Sequence, residues 1–231
     1  MQLRCGAPAV AVNIEKRIPA GGGLGGGSSN AAATVRAIDV LFALGIPEEL
    51  LSEIALQLGS DVPFFLTGGT AYATGRGEKL VPFRPLAAIP LLLIISPERV
   101  QTAEAFALLS ATRRVPSDPL GLDRVRVMVE SDLLEYRDLL VNDFELPVFA
   151  RLPRLADLKG RLYDSGAVWA GMTGSGSTMV GAYRTASARD LALSRFPEGT
   201  AIAAQTIASL LRSFRPEGER HPERRGAGWR E

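Results

Sequence analysis

Between Gly21 and Gly27, six of seven residues are glycine, and Ser28, Ser29 and Asn30 follow at once. So dense a run lets the backbone take positive φ angles and approach a ligand closely. An apolar-periodic stretch, Ala31 to Leu44, opens directly after it with the three polar residues as candidate caps. The free N–H groups and positive dipole end of that helix would face the loop. This combination is an anion site, and a di- or triphosphate is its usual guest. A flexible linker is the plainer alternative, but a linker has no reason to run straight into a capped helix.

Two familiar phosphate loops do not account for the run. A Walker loop needs Gly-Lys-Ser/Thr at the helix start, and Gly27 is followed by Ser28 with no lysine. Gly21, Gly23 and Gly26 satisfy the dinucleotide spacing, which carries little information in so glycine-dense a segment. Asp39 falls inside the helix rather than at the end of a second strand, so the ribose-binding acid is not in place.

Two further segments could do chemistry. In Gly59-Ser60-Asp61-Val62-Pro63-Phe64-Phe65, Asp61 is either a general base for an alcohol or a cap on the turn. Gly171-Met172-Thr173-Gly174-Ser175-Gly176-Ser177 is a second glycine turn, either an ordinary β-turn or a loop that closes on a ligand. Lys16 and Arg17 precede the first loop and could hold phosphate or be solvated charges. The single histidine, His221, lies in a polar tail, and the single cysteine is Cys5. Imidazole-based triads, multi-histidine metal sites, internal disulfides and cysteine-rich zinc sites are thereby disfavoured. Acid–base work must fall to a carboxylate, a lysine or a hydroxyl.

The elements that must position these groups follow from pattern. A strand is expected at Ala9 to Ile14, a helix over Ala31 to Leu44 and a second from Pro47 to Gly59. Thr70 to Ala73 and Lys79 to Phe83 read as a hairpin, and Leu91 to Ile95 as a buried strand. Helices are expected at Thr102 to Leu109, Leu122 to Leu140 and Pro147 to Leu162. Strands at Val168 to Met172 and Thr178 to Tyr183 flank the second turn, with a helix at Ser187 to Arg195 and a last strand at Thr200 to Gln205. The fold class is α+β. The chain divides into residues 1–87, 88–214 and a charged tail, 215–231, expected to be disordered. At 46% apolar, 22% charged and a net charge of +1, nothing points to nucleic acid or an anionic membrane. The longest apolar run, Ile89 to Ile95, is too short to span a bilayer, and no signal peptide is expected, so a cytoplasmic location is the reading.

Pro19, Gly23-Leu24-Gly25 and the extension Gly25 to Ala32 together resemble the phosphate loop of the GHMP small-molecule kinases. Gly59 to Phe65 is similar to that family's aspartate box, and Gly171 to Ser177 to its third motif. The extended loop resembles the branch acting on 4-diphosphocytidyl-2-C-methyl-D-erythritol more than the homoserine, galactose or mevalonate branches. The likeness runs from about Val10 to Gln205. It implies a ribosomal-S5-like first part, here truncated, and a ferredoxin-like second part. It further implies ATP-dependent phosphorylation of the substrate's 2-hydroxyl in non-mevalonate isoprenoid (terpenoid) synthesis, with Mg²⁺. Pro19, Ala20, Gly21, Gly22, Gly23, Leu24, Gly25, Gly26, Gly27, Ser28 and Ser29 would cradle the nucleotide. Asp61 would take the acceptor's proton, and Gly174, Ser175 and Gly176 would close over phosphate and acceptor. Thr102 and Phe106 would lie near the diphosphocytidyl substrate, although a phenylalanine on an amphipathic helix is commonly core. Asn142-Asp143-Phe144-Glu145 resembles an Asn-Asp-Leu-Glu element, read as a helix start or structural feature without chemistry. Members begin with a lysine-bearing Ser-Pro-Ala-Lys-Leu-Asn-like strand, and Met1 to Pro8 holds no lysine. A monomer or weak homodimer is expected. The alternatives are a catalytically impaired nucleotide-binding fragment of such a kinase and another GHMP kinase.

Overall fold

The computed structural model describes residues 5–84, 86–112 and 120–207. The expected disordered tail lies outside the described residues. Helix α1 spans Gly26–Leu41, α2 Glu48–Leu58 and α3 Val62–Thr67. Their apolar faces meet in a core of Ala32, Val35, Leu51, Ile54, Ala55, Val62 and Leu66. Asp39 is structural, since its Oδ1 accepts from the Ile46 N–H at 2.9 Å and fixes the α1–α2 turn. Pro63 in the first turn suits the start of α3, a helix that the sequence pattern did not reveal. Strands β1, Thr70–Thr74, and β2, Lys79–Phe83, form the expected antiparallel hairpin, with Tyr72 opposite Val81.

The second sheet is four-stranded, in the order β4-β5-β3-β6, and every neighbouring pair is antiparallel. Its strands are β3, Pro90–Ile94; β4, Trp169–Met172; β5, Met179–Ala182; and β6, Ala201–Gln205. Helices α4 (Thr102–Ala111), α5 (Leu122–Glu130), α6 (Glu145–Arg151) and α7 (Pro153–Asp164) lie between β3 and β4 in the chain, and α8 (Ala186–Leu193) lies between β5 and β6. Strand, helical crossover, hairpin, helix, strand in that spatial order is the ferredoxin-like split β-α-β topology. Leu92 and Ile94 from the sheet pack against Val148, Leu155 and Leu162 from α6 and α7.

Three expected elements differ. Ala9 to Ile14 pairs with no strand among the described residues, and Val10, Val12 and Ile14 are exposed. Alternating residues are not sufficient for a strand when no ladder receives their N–H and C=O groups. The expected helix Leu122 to Leu140 stops at Glu130. The Ser131 Oγ donates to the Val127 carbonyl at 2.6 Å, and the Asp132 carboxylate accepts from the Leu134 N–H at 2.9 Å, starting a 3₁₀ helix at Leu133–Leu139. Short polar side chains competing for the backbone are the cause. The helix expected over Pro147 to Leu162 is two helices, because Pro153 forces Leu152 out of the α region, to φ −125°. Among the described residues no helix is long and apolar enough to cross a membrane.

Candidate active site

The glycine loop is a succession of turns in which Gly21, Gly23 and Gly25 take φ of 74°, 74° and 65°. At Gly23 the need for glycine is steric as well as conformational. A Cβ there would stand 2.2 Å from the Thr173 carbonyl oxygen and 3.0 Å from that of Gly176. Gly25 similarly lies under the Phe65 ring, 2.6 Å from the position a Cβ would take. The Thr173 hydroxyl donates to the Gly23 carbonyl at 2.9 Å, and the Thr178 N–H donates to the Gly22 carbonyl at 3.2 Å. Arg99 donates to the Ala20 carbonyl from the loop after β3. The first glycine loop is thus bound to the second.

Gly25 itself is the N-cap of α1, in left-handed conformation and with no side-chain cap. The expected caps are inside the helix instead, where the Ser29 Oγ turns back to the Gly26 carbonyl at 3.1 Å. The first intrahelical bond is from the Ser29 N–H to the Gly25 carbonyl, at 2.9 Å. The N–H groups of Gly26, Gly27 and Ser28 therefore have no acceptor among the described residues. Unspent donors at a helix N-terminus attract an anion.

These donors open on a cleft of about 1000 Å³. Residues 19–28 form one wall, Gly59, Ser60 and Asp61 another, and Thr102, Phe106, Gly174 and Ser175 the far side. A recess of about 400 Å³ next to it is shared by Leu24, Asp61, Phe65, Gly77 and Thr173. The larger volume suits a nucleotide-sized molecule.

Asp61 is exposed and precedes α3 without a cap hydrogen bond to it. It does not cap the helix in this conformation, and its carboxylate is left for the cleft. The Thr102 and Ser175 hydroxyls are 3.2 Å apart. Phe106 is 56% exposed rather than core, and its ring meets that of Phe144 edge to face at 4.9 Å. Two expected site residues do not line the cleft: Ser29, turned into α1, and Gly176, where a Cβ would face the Met172 sulfur at 2.8 Å. Lys16 and Arg17 part company. Lys16 lines the cleft, whereas Arg17 is bound in solvent to Glu15 at 3.3 Å.

Sequence reasoning passed over Arg76, at the tip of the β1–β2 hairpin, which adds a second cation to the cleft wall. It also gave no chemistry to Asn142 and Glu145. The Asn142 side-chain amide donates to the Met172 and Gly174 carbonyls, both at 2.8 Å, and Glu145 Oε1 accepts from the Met172 N–H at 2.7 Å. The signal was present as Asn-Asp-Phe-Glu, but only tertiary structure shows what it grips. Among the described residues no three acidic, histidine or cysteine side chains cluster as a metal cage.

Models of the GHMP kinases N terminal domain and the GHMP kinases C terminal match residues 1–69 and 126–200. A 4-diphosphocytidyl-2-C-methyl-D-erythritol kinase of Synechococcus sp. (strain JA-3-3Ab) is 38% identical over 211 residues, covering 86% of this chain and 68% of the relative. This chain belongs to the 4-diphosphocytidyl-2-C-methyl-D-erythritol kinase family, within the GHMP kinases. The family member of Porphyromonas gingivalis is 37% identical, with 77% of this chain and 63% of the relative covered. This member of the family therefore spans about two-thirds of the length of such relatives. A solved 4-(cytidine 5'-diphospho)-2C-methyl-D-erythritol kinase superposes with a TM-score of 0.71 at 33% identity, over 83% of this chain and 68% of that one. Homoserine kinase from Cytophaga hutchinsonii, at 18% identity and a TM-score of 0.56, shares the fold.

Proposed function

We propose that this chain transfers the γ-phosphoryl group of ATP to the 2-hydroxyl of 4-diphosphocytidyl-2-C-methyl-D-erythritol, a step of non-mevalonate isoprenoid synthesis. The observation that carries the reading is the set of unspent first-turn N–H groups of α1 opening on the same cleft as the uncapped Asp61 carboxylate. The backbone of Pro19 to Ser28 binds the nucleotide phosphates, and Lys16 and Arg76 offset their charge. Asp61 accepts the proton of the 2-hydroxyl as its oxygen bonds to the γ-phosphorus. The bond from that phosphorus to the β–γ bridging oxygen breaks, and ADP leaves with the electron pair. Gly174 and Ser175 close the phosphate side, and Thr102, Phe106 and Phe144 contact the diphosphocytidyl part. Mg²⁺ would be carried on the phosphates, with the Ser28 hydroxyl as an oxygen donor from the chain, and it would supply charge neutralisation. Residues 1–87 and 88–214 act as the two lobes of a cytoplasmic monomer or weak homodimer.

The test is ADP formation by the purified chain with Mg·ATP and each of four acceptors: the diphosphocytidyl substrate, homoserine, galactose and mevalonate. Turnover is expected with the first alone. Asp61→Asn should lower kcat by about 10²- to 10⁴-fold while ATP affinity stays within about twofold. ATP binding without turnover on any acceptor would replace catalysis by the nucleotide-binding-fragment reading. Absence of ATP binding would overturn the site.

A further inference from the structure

We propose that Asn142 is a positioning residue, whose one side-chain amide sets the second glycine turn and, through it, the phosphate loop. The inference deepens the kinase reading and rests on it for its kinetic part. All the polar capacity that the amide directs inward is in use. Its Nδ2 donates to the Met172 and Gly174 carbonyls at 2.8 Å each, and its Oδ1 accepts from the Phe144 N–H at 3.0 Å. Only this orientation of the amide satisfies two carbonyls on one side and an N–H on the other.

The grip is doubled one residue on. Glu145 Oε1 accepts from the Met172 N–H at 2.7 Å, and its other oxygen pairs with Lys159 at 2.5 Å. Both backbone groups of Met172 are therefore fixed by side chains from residues 142–145. The next residue, Thr173, is the one whose hydroxyl donates to the Gly23 carbonyl. A Cβ on Gly174 would stand 3.3 Å from that same carbonyl oxygen, so the two glycine turns are in close contact. The hydrogen-bonded path from Asn142 to the phosphate loop thus runs through Met172 or Gly174 and then Thr173. Phe144, between the two gripping side chains, carries the ring that meets Phe106 on the acceptor side of the cleft. One short segment touches both halves of the site.

A brace for β4 alone would predict something different: lower stability with the phosphate loop undisturbed. Hydrogen–deuterium exchange on the full chain separates the two. In Asn142→Ala, the Ser29 amide, bonded to the Gly25 carbonyl of the glycine loop, should exchange at least fivefold faster than in the unsubstituted chain, together with residues 172–178, while β6 stays unchanged. Asn142→Asp keeps the shape but turns acceptors toward two carbonyls, so it should be worse than Asn142→Ala. In turnover, kcat should fall tenfold or more and the KM for ATP rise, with a smaller change in the KM for the acceptor. Thr173→Val, which removes only the link to Gly23, should reproduce the faster exchange at the Ser29 amide, and it serves where the Asn142 variants do not fold. Unchanged exchange at the Ser29 amide in Asn142→Ala or in Thr173→Val overturns the proposal, as does Asn142→Asp behaving better than Asn142→Ala. Exchange is read without turnover, so an unsubstituted chain that phosphorylates nothing would overturn the activity and leave this test standing.

Discussion

Among the described residues, fourteen buried ones form one core between four strands and their helices on the sheet side of the cleft, whereas the glycine-loop side gathers eight around three helices. The first group is built on ladders and rows of large side chains, including Tyr183, Leu92 and Leu155, each wholly buried. The second leaves Val40, Leu41 and Phe42 exposed at the end of α1. Glycine is concentrated where the two sides meet. A glycine-rich backbone loses the most freedom on ordering, so it needs partners to hold it. Those partners come from the sheet side, as the bonds from Thr173 and Thr178 to Gly23 and Gly22 show. The glycine loop of one region borrows its shape from the packing of the other.

The strongest way to break this comparison is a single methyl group at the seam. Gly23→Ala would drive a Cβ into two backbone carbonyls while φ stays at 74°, and neither carbonyl can rotate away. ATP binding, measured by calorimetry, should weaken at least tenfold, about 1.4 kcal/mol or more. Gly160→Ala is the contrasting change. This exposed glycine lies within α7 with nothing near a new Cβ, so the substitution should stabilise by about 0.5–1 kcal/mol. Normal ATP affinity in Gly23→Ala would mean that the seam is looser than its contacts imply.

The two cores can be weighed directly. Leu155→Ala and Leu51→Ala each remove a fully buried side chain. Both should cost about 2–5 kcal/mol in denaturant unfolding. Leu155→Ala should be the costlier, because the sheet beneath it is less able to collapse into the space left. The reverse order would place the rigid part of the molecule on the glycine-loop side.

How much of this was legible in sequence depends on whether a feature is local. The hairpin at Thr70 to Phe83 and the strand at Leu91 showed because period and turn residues are adjacent in the chain. The break at Pro153 was visible in principle, since proline restricts the residue before it, yet helical periodicity on both sides concealed it. Ala9 to Ile14 failed for the opposite reason: its alternation is real, but a ladder partner is a tertiary fact. The glycine loop and Asp61 stood out as candidates by composition and motif, and both line the cleft. The part played by Asn142 could not be read in the same way. Its partners lie 30 and 32 residues away, and nothing in Asn-Asp-Phe-Glu says which carbonyls it meets.

The smallest effect expected is at the ion pair that joins α1 to α2, and it tests whether charge adds anything to the weaker core. Arg36 holds Glu48 through two bonds, at 2.7 and 3.0 Å. The hydrogen bond from Arg36 is the main reason the Glu48 carboxyl lies below its usual range. The Glu48 side chain is 69% exposed, so water screens the pair and its worth is about 0.2–1 kcal/mol. A lowered carboxyl pKa stabilises the fold fully above the unfolded value of roughly 4.3, and the contribution fades as pH falls through the lower folded value. Glu48→Gln should therefore lower the Tm by about 1–3 °C at pH 7, and the gap to the unsubstituted protein should close below about pH 4. Leu155→Ala should keep its deficit across the same range, since no proton is linked to it. A Glu48→Gln deficit that persists in acid would mean that the glutamate acts by packing over Arg36, whose Nε is buried without a partner among the described residues, and not by its charge.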